Sequence, residues 1–366
     1  MSDRLCSRLE KLHEHIVAGG LEGVILTPGP NVKYYTGVNA PLYERPHLLF
    51  VPREGDAHVV VPVFEAGPYT RISPKIILHA WNDAEGPTQA FQTVSSELGL
   101  SGKWGVEGRV PYRFIHLLRK HAAVEFEDAE PILQGIREIK DSDEIRSLQR
   151  AASILSKAYL KVPNQIKPGV TEIELANRMT KEIYSNGAEH VDEVLVQTGV
   201  SAADPHHTPQ AKKIQRGESI VIDATCTYAG YYVDITRTFT IGTNPNFQRI
   251  YQSVLEAQKE AIGKSKKDST TGNVDEAARG RLRKDNLESY FTHRTGHGLG
   301  MEVHEAPYIL PNGNEKIQPG MVFTIEPGVY IAGKIGVRIE DDVLITEDGA
   351  KVLTKALPKE LGWWRR

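Results

Sequence analysis

The chain has 366 residues, of which 40% are hydrophobic and 25% charged, and its formal net charge is −3; these are the values of a soluble globular protein long enough for two domains. There is no basic block to suit a nucleic acid or an acidic membrane surface, and no apolar run approaches the length of a membrane span. Two cysteines, Cys6 and Cys226, make no disulfide framework, and the charged first turns (Arg4, Arg8, Glu10, Lys11) do not read as a secretory signal, so a cytoplasmic protein is expected.

Leu5, Leu9, Leu12 and Ile16 recur at helical spacing and predict a helix over residues 2–19, stopped by Gly19-Gly20. Strands are expected at 23–26, 47–51, 58–63 and 76–80, with turn clusters at 27–31 and 52–56. A helix over 86–98, a strand over 104–107 and a helix over 113–121 continue the alternation, which argues for an α/β domain over residues 1–134. Nothing in residues 1–130 has metal-ligand or nucleophile spacing.

Residues 135–366 form the second expected domain. A charged helical stretch covers 136–160, with Asp141-Ser142-Asp143 capping its main part. Thr171 and Glu174 make a capping box for a helix over 171–186. A strand over 190–198 leads to a loop over 199–209 that carries Pro205-His206-His207. A hairpin at 219–240, helices at 247–264 and 274–282, a Gly/His loop at 293–300 and a second hairpin at 321–345 follow. Cys226, in the first hairpin, reads as a small buried residue.

The first hairpin joins two β-branched runs around a turn centred on Tyr228–Ala229, which sets Asp223 opposite Asp234 on one face. Like charges placed opposite each other repel, so a shared proton or a bound cation must compensate them. The second hairpin turns at Gly333 and sets Glu326 opposite Glu340, with Arg338 on the same face as Glu340. Between the hairpins, the glycines of Thr295-Gly296-His297-Gly298-Leu299-Gly300 allow close backbone approach and leave the imidazole uncovered.

Asp223, Asp234, His297, Glu326 and Glu340 thus make a set of four carboxylates and one imidazole. Such a set is costly without cations, and two divalent metals ~3.5–4 Å apart would neutralise it. Its oxygen-rich character suits Mn²⁺, Co²⁺ or Fe²⁺ and also accepts Zn²⁺. A hydroxide held between two metals is a strong nucleophile at neutral pH, which points to hydrolysis. Taken singly, each carboxylate also reads as an edge or solvated residue and His297 as a loop histidine; the argument rests on the set.

The segments 231–238 with Asp223, 293–300, Val303-His304-Glu305-Ala306-Pro307, Thr324-Ile325-Glu326-Pro327-Gly328 and Val337-Arg338-Ile339-Glu340-Asp341 resemble the motifs of the pita-bread metallopeptidases. Within that superfamily the chain is similar to the branch of Xaa-Pro dipeptidases (prolidases) and Xaa-Pro aminopeptidases, strongly over residues 137–366 and loosely over 1–130. The resemblance implies an α+β fold: a C-terminal pita-bread catalytic domain behind a smaller creatinase-like α/β domain. It implies two divalent metals, Mn²⁺ first among them, on the five residues, with Asp234 and Glu340 bridging and Glu326 also shuttling a proton. His206 and His304 would steady the carbonyl and the tetrahedral intermediate, although His207 competes with His206 for that role. Arg338 and Tyr231 match substrate-side positions, and each reads equally as structural: Arg338 as a counter-ion, Tyr231 as packing. Two positions depart from the family pattern, Thr225 where glycine is usual and Ser201 where asparagine is usual.

The expected activity is hydrolysis of Xaa-Pro dipeptides. The alternatives are an Xaa-Pro aminopeptidase acting on longer peptides and an inactive peptide-binding relative on the same fold. Proline's imide lacks an N–H and its ring fixes φ, so a site that polarises the carbonyl suits it better than one that grips an extended backbone. A dipeptidase must also read the substrate carboxylate, and Arg338, Arg45 and His47 are the basic candidates; the last two read as well as surface residues. In this branch a partner's N-terminal domain leans over the site, so a homodimer is implied.

Overall fold

The computed structural model describes residues 2–72 and 76–365. The chain forms two units, Met1–Arg137 and Glu138–Arg366, each with its own sheets and core.

In the first unit α1 (Ser2–Ala18) buries Leu5, Leu9, Leu12 and Ile16, and Gly20 at φ 67° ends its run. The elements that follow are β1 (Gly23–Leu26), α2 (Pro30–Thr36), β2 (Leu48–Pro52), β3 (Ala57–Pro62), β4 (Ile76–Trp81), α3 (Thr88–Leu98), β5 (Ser101–Val106), α4 (Tyr112–Leu118), β6 (Ala123–Asp128) and α5 (Glu130–Glu138). The strands make one mixed sheet, ordered β4-β3-β2-β1-β5-β6. Ile25, Phe50, Val60 and Trp104 pack against Phe91 and Val94 of α3 and Phe114 of α4.

Two elements here differ from expectation. Residues 30–36 form a helix instead of a turn, because Pro30 pre-sets the first helical φ and Gly37 at φ 74° closes the helix. Strand β6 lies at the sheet edge; Val124 and Phe126 alternate with exposed Glu125 and Glu127, but the alternation spans only four residues of an acidic stretch and is easily passed over in the sequence.

The second unit opens with α6 (Ser142–Tyr159), where Asp141 accepts from the amides of Asp143 and Glu144 in a capping box. Thr171 and Glu174 start α7 (Glu172–Ser185) in the same way. β7 (His190–Thr198), β8 (Ser219–Tyr228) and β9 (Tyr231–Thr240) form an antiparallel sheet, followed by α8 (Pro245–Lys264) and α9 (Thr271–Lys284). The remaining strands are β10 (Gly296–Gly298), β11 (Glu305–Ile309), β12 (Val322–Ile325), β13 (Gly328–Ile331), β14 (Ile335–Arg338), β15 (Asp341–Thr346) and β16 (Gly349–Val352). A five-stranded sheet runs β11-β10-β12-β15-β16, and β13 pairs with β14 alone. Leu155 and Tyr159 of α6 and Phe247 and Tyr251 of α8 join Ile222, Ile235, Phe323 and Val343 in a single core. Cys226 is buried in that core, and both cysteines are free. Among the described residues no helix is long and apolar enough to cross a membrane.

The first hairpin corrects the expected register. Its loop is Ala229-Gly230, both at positive φ (52° and 76°), the signature of a two-residue turn whose twist matches the strands. Tyr228 therefore pairs with Tyr231, Asp223 with Thr236, and Asp234 with Thr225. The partner moves by two residues, which preserves the face. Asp223 and Asp234 are diagonal neighbours on that face, not opposite ones, and the wider spacing leaves room for a cation.

In the second hairpin, β12–β15 and β13–β14 keep one continuous register around Gly333, at φ 70°. The ladder opens between them at Pro327, which has no N–H to offer. Glu326 and Glu340 stand on the two sides of that opening.

Candidate active site

Asp223 and Asp234 reach the site from β8 and β9, and Glu326 and Glu340 from the opening between the paired strands of the second hairpin. Asp223, Asp234, His297, Glu326 and Glu340 all line one cavity of about 750 Å³, together with His206, His304, Arg294 and Arg338. One donor atom from each of Asp234, His297 and Glu340 lies within 4.8 Å of the other two. His297 Nε2 is 3.4 Å from Glu326 Oε1 and 3.9 Å from Asp234 Oδ2.

The imidazole is oriented from behind. His297 Nδ1 donates to the Gly298 carbonyl at 3.1 Å, which assigns the proton to Nδ1 and turns the Nε2 lone pair toward the carboxylates. Contrary to expectation the ring is not uncovered: His297 is 3% exposed. Burial, with the His304 ring 4.2 Å away, drives its pKa down to about 3, so it stays neutral. The Gly/His loop contains a strand, β10, held between β11 and β12. A Cβ on Gly296 would lie 1.8 Å from the Thr324 carbonyl oxygen, and one on Gly298 would lie 2.1 Å from that of Ala306. With three residues and two glycines, β10 has no periodicity by which to be recognised.

The carboxylates carry strain that only a cation or protons can relieve. Burial, and after it the charge of Glu340, pushes Asp234 far above the usual carboxylate range. Burial, and after it Glu326, does the same to Glu340 even though Thr236 Oγ1 donates to it at 2.6 Å. Burial raises Glu326 to about 7 against the pull of Arg338. Asp234 Oδ1 is buried and has no hydrogen-bond partner. A buried carboxylate with one orphaned oxygen and its other oxygen near a neutral imidazole nitrogen, beside two further carboxylates, is a donor set that fits divalent cations.

Arg338 is buried and fully engaged. Its Nη2 donates to Asp223 at 2.6 Å, Nη1 to the Tyr330 hydroxyl at 2.8 Å and Nε to Thr236 Oγ1 at 3.1 Å. Tyr330 in turn bonds His293 Nε2 at 2.9 Å. Behind the cavity, Arg237 and Lys359 both reach Asp341 at 2.7 Å. Burial alone would raise Asp341, but those two cations hold it at about 2.

The two adjacent histidines have different surroundings. His206 is exposed and lines the cavity, whereas His207 Nε2 lies 3.2 Å from buried Glu172. Glu172 also accepts from the Thr198 amide and hydroxyl, the Ser201 hydroxyl and the Gln210 amide, and so pins both ends of the loop that presents His206. Ser201, one of the two departures from the family pattern, is thus tied to this anchor. Thr225, the other, lines the cavity and accepts from the Glu193 amide at 3.2 Å.

Three expected substrate-side residues have other surroundings. Tyr231 is buried outside the cavity lining, its hydroxyl donating to Glu144 at 3.1 Å. Arg45 forms a fork with Asp83 at 2.9 Å and also reaches Glu44. His47 is buried between Glu65 (2.9 Å) and the Tyr69 hydroxyl (2.8 Å), so it is not a surface residue. Sequence reasoning missed Asp192 and Glu193 and gave no role to His293 and Arg294, all of which also line the cavity. The acidic pair Asp192-Glu193 near the start of β7 was a visible signal, and His293 and Arg294 stood inside the motif 293–300 without a chemistry of their own.

A carboxylate-rich cavity on paired hairpins, with a separate mixed-sheet unit preceding it in the chain, is the architecture of a metal-dependent hydrolase. The sequence profile of metallopeptidase family M24 matches residues 146–347, and that of the creatinase/prolidase N-terminal domain matches residues 8–139. The chain is 34% identical to a probable dipeptidase PepE of Mycobacterium tuberculosis over 348 residues, 93% of this chain and 92% of that one. It is 33% identical to an Xaa-Pro dipeptidase of Pyrococcus horikoshii over 356 residues, 96% and 98% of the two chains. The crystal structure of dipeptidase PepE from Mycobacterium ulcerans superposes with a TM-score of 0.93 at 33% identity, covering 98% of each chain. The chain belongs to metallopeptidase family M24, with the pita-bread fold and the creatinase-type N-terminal domain of its prolidase branch, and is a peptidase.

Proposed function

We propose that the protein is an Xaa-Pro dipeptidase that works with two divalent metal ions held by Asp223, Asp234, His297, Glu326 and Glu340. The observation that carries this reading is the buried donor cluster with its orphaned Asp234 oxygen, and the names of the relatives, dipeptidase and Xaa-Pro dipeptidase, support the substrate class. When bound, the metals supply Lewis-acid polarisation and acidify water at neutral pH.

The chain's own residues do the rest. Glu326 takes a proton from the attacking water and returns it to the proline nitrogen as the C–N bond breaks. His206 and His304, on the open side of the cavity, donate to the carbonyl oxygen as it gains charge. Arg338 fixes Asp223 through its 2.6 Å hydrogen bond. Asp192 and Glu193 supply a negative field for the substrate's ammonium group, and Arg294 meets its carboxylate.

Metal-stripped protein should regain Met-Pro hydrolysis when Mn²⁺, Co²⁺ or Zn²⁺ is added back, with Mn²⁺ the most effective. Cleavage of Arg-Pro-Pro alone would transfer the assignment to an Xaa-Pro aminopeptidase. Failure to bind any divalent ion would make the chain a peptide-binding relative.

A further inference from the structure

A second group of metal-ligating side chains lies in the first unit. His58 is on β3 and His79 on β4, which run parallel with His58 beside Ile77 and Val60 beside His79. Partners in a parallel pair share a face, so both imidazoles project on the side that α3 covers. Ala90, Phe91 and Val94 of α3 are buried there, and Glu97, three residues on from Val94, reaches the same place from the last turn. The two rings meet edge to edge, 9° from parallel with centroids 5.1 Å apart. His58 Nδ1 is 2.9 Å from His79 Nε2, and Glu97 Oε2 is 3.6 Å from each of them.

These distances do not amount to a closed hydrogen-bond network. Two neutral imidazoles can share one N–H, but 3.6 Å is too long for a hydrogen bond from either ring to the carboxylate. The 3.6 Å separations match the edges of a zinc tetrahedron, ~3.3–3.6 Å for ligand distances of ~2.0–2.2 Å, and the two imidazoles have to part from 2.9 Å, exchanging their N–H···N contact for the ion, to complete it. Both histidines are buried and burial lowers both pKa values, so neutral ligands are available at physiological pH. The carboxylate is half-exposed, so the fourth position opens to solvent.

We infer that His58, His79 and Glu97 form a zinc site of the amino-terminal unit, with two imidazoles, one carboxylate and one open position. Two nitrogens and one oxygen at this spacing favour zinc over the oxygen-preferring manganese. The site lies wholly within one unit, and its occupancy does not depend on the proposed dipeptidase activity.

The test is a zinc titration of the full chain, stripped with chelator and followed by competition with a chromophoric chelator. Wild type is expected to bind one more equivalent of zinc than His79→Gln. Cobalt substituted into wild type is expected to show tetrahedral visible bands that His79→Gln weakens. Glu97→Gln, a half-exposed change that leaves the strands intact, should weaken that equivalent roughly tenfold or more. If His79→Gln does not fold, Glu97→Gln decides alone. Equal zinc stoichiometry and affinity in wild type and the folded variants would overturn the assignment, whatever the outcome of the dipeptide assays.

Discussion

Arg338 and Arg294 both line the cavity but offer different chemistry. Arg338 is spent on Asp223, Tyr330 and Thr236, so its guanidinium fork has no face left for a substrate. Arg294 lies with its guanidinium over the Tyr308 ring, 4.6 Å from the centroid, which leaves its edge for a carboxylate. Arg294→Ala is therefore expected to raise KM for Met-Pro roughly tenfold while leaving KM for Met-Pro amide unchanged. Equal effects on both peptides would remove Arg294 from that role. His47 supports a different kind of prediction. Burial lowers its pKa to about 4 from 6.5. The unfolded chain then binds a proton that the folded one refuses. Stability from the neutral ring is full above pH 6.5 and is lost as pH falls from 6.5 toward 4. The loss is up to about 3 kcal/mol. Urea midpoints at about pH 7 and about pH 4.5 should fall less in His47→Gln than in wild type; identical falls would contradict the assignment.

At the scale of elements, β10 is the smallest strand with the largest task. It aims His297 while squeezed between two neighbours, and its glycines exist for that approach. Gly298→Ala would press a methyl against the Ala306 carbonyl, where 2.1 Å is available. The strand has to shift, and a ligand misplaced by ~1 Å costs on the order of 100-fold in rate. Activity should fall by about that factor while circular dichroism keeps the native spectrum and unfolding loses roughly 1–3 kcal/mol. A variant of full activity would show that β10 tolerates the displacement. The first hairpin makes the complementary point: its turn residues were readable as a turn, but the shift from Tyr228–Ala229 to Ala229-Gly230 depended on both φ angles being positive.

For the whole molecule, two units with separate cores match the two profiles that cover nearly the full chain. The helices with clear apolar stripes and caps, α1, α6 and α7, could be read from the sequence because their signals are local. The five residues that share the cavity could be read in order because each sits in a short motif with its own turn or glycines. The glycine strand β10 could not, since it carries no apolar alternation, and the edge strand β6 was passed over because its alternation of Val124 and Phe126 with two glutamates is only four residues long. Sequence alone determined the donor types and the paired-hairpin plan, because period, turn chemistry and charge act over a few residues. Tertiary structure alone decided the diagonal placement of Asp223 and Asp234 and the capture of Arg338 by Asp223. It also decided the separation of His206 from His207 and the meeting of His58 and His79 with Glu97. Each of those depends on which distant strand or helix packs against which, and that is settled by burial and long-range pairing, not by the neighbours in the chain.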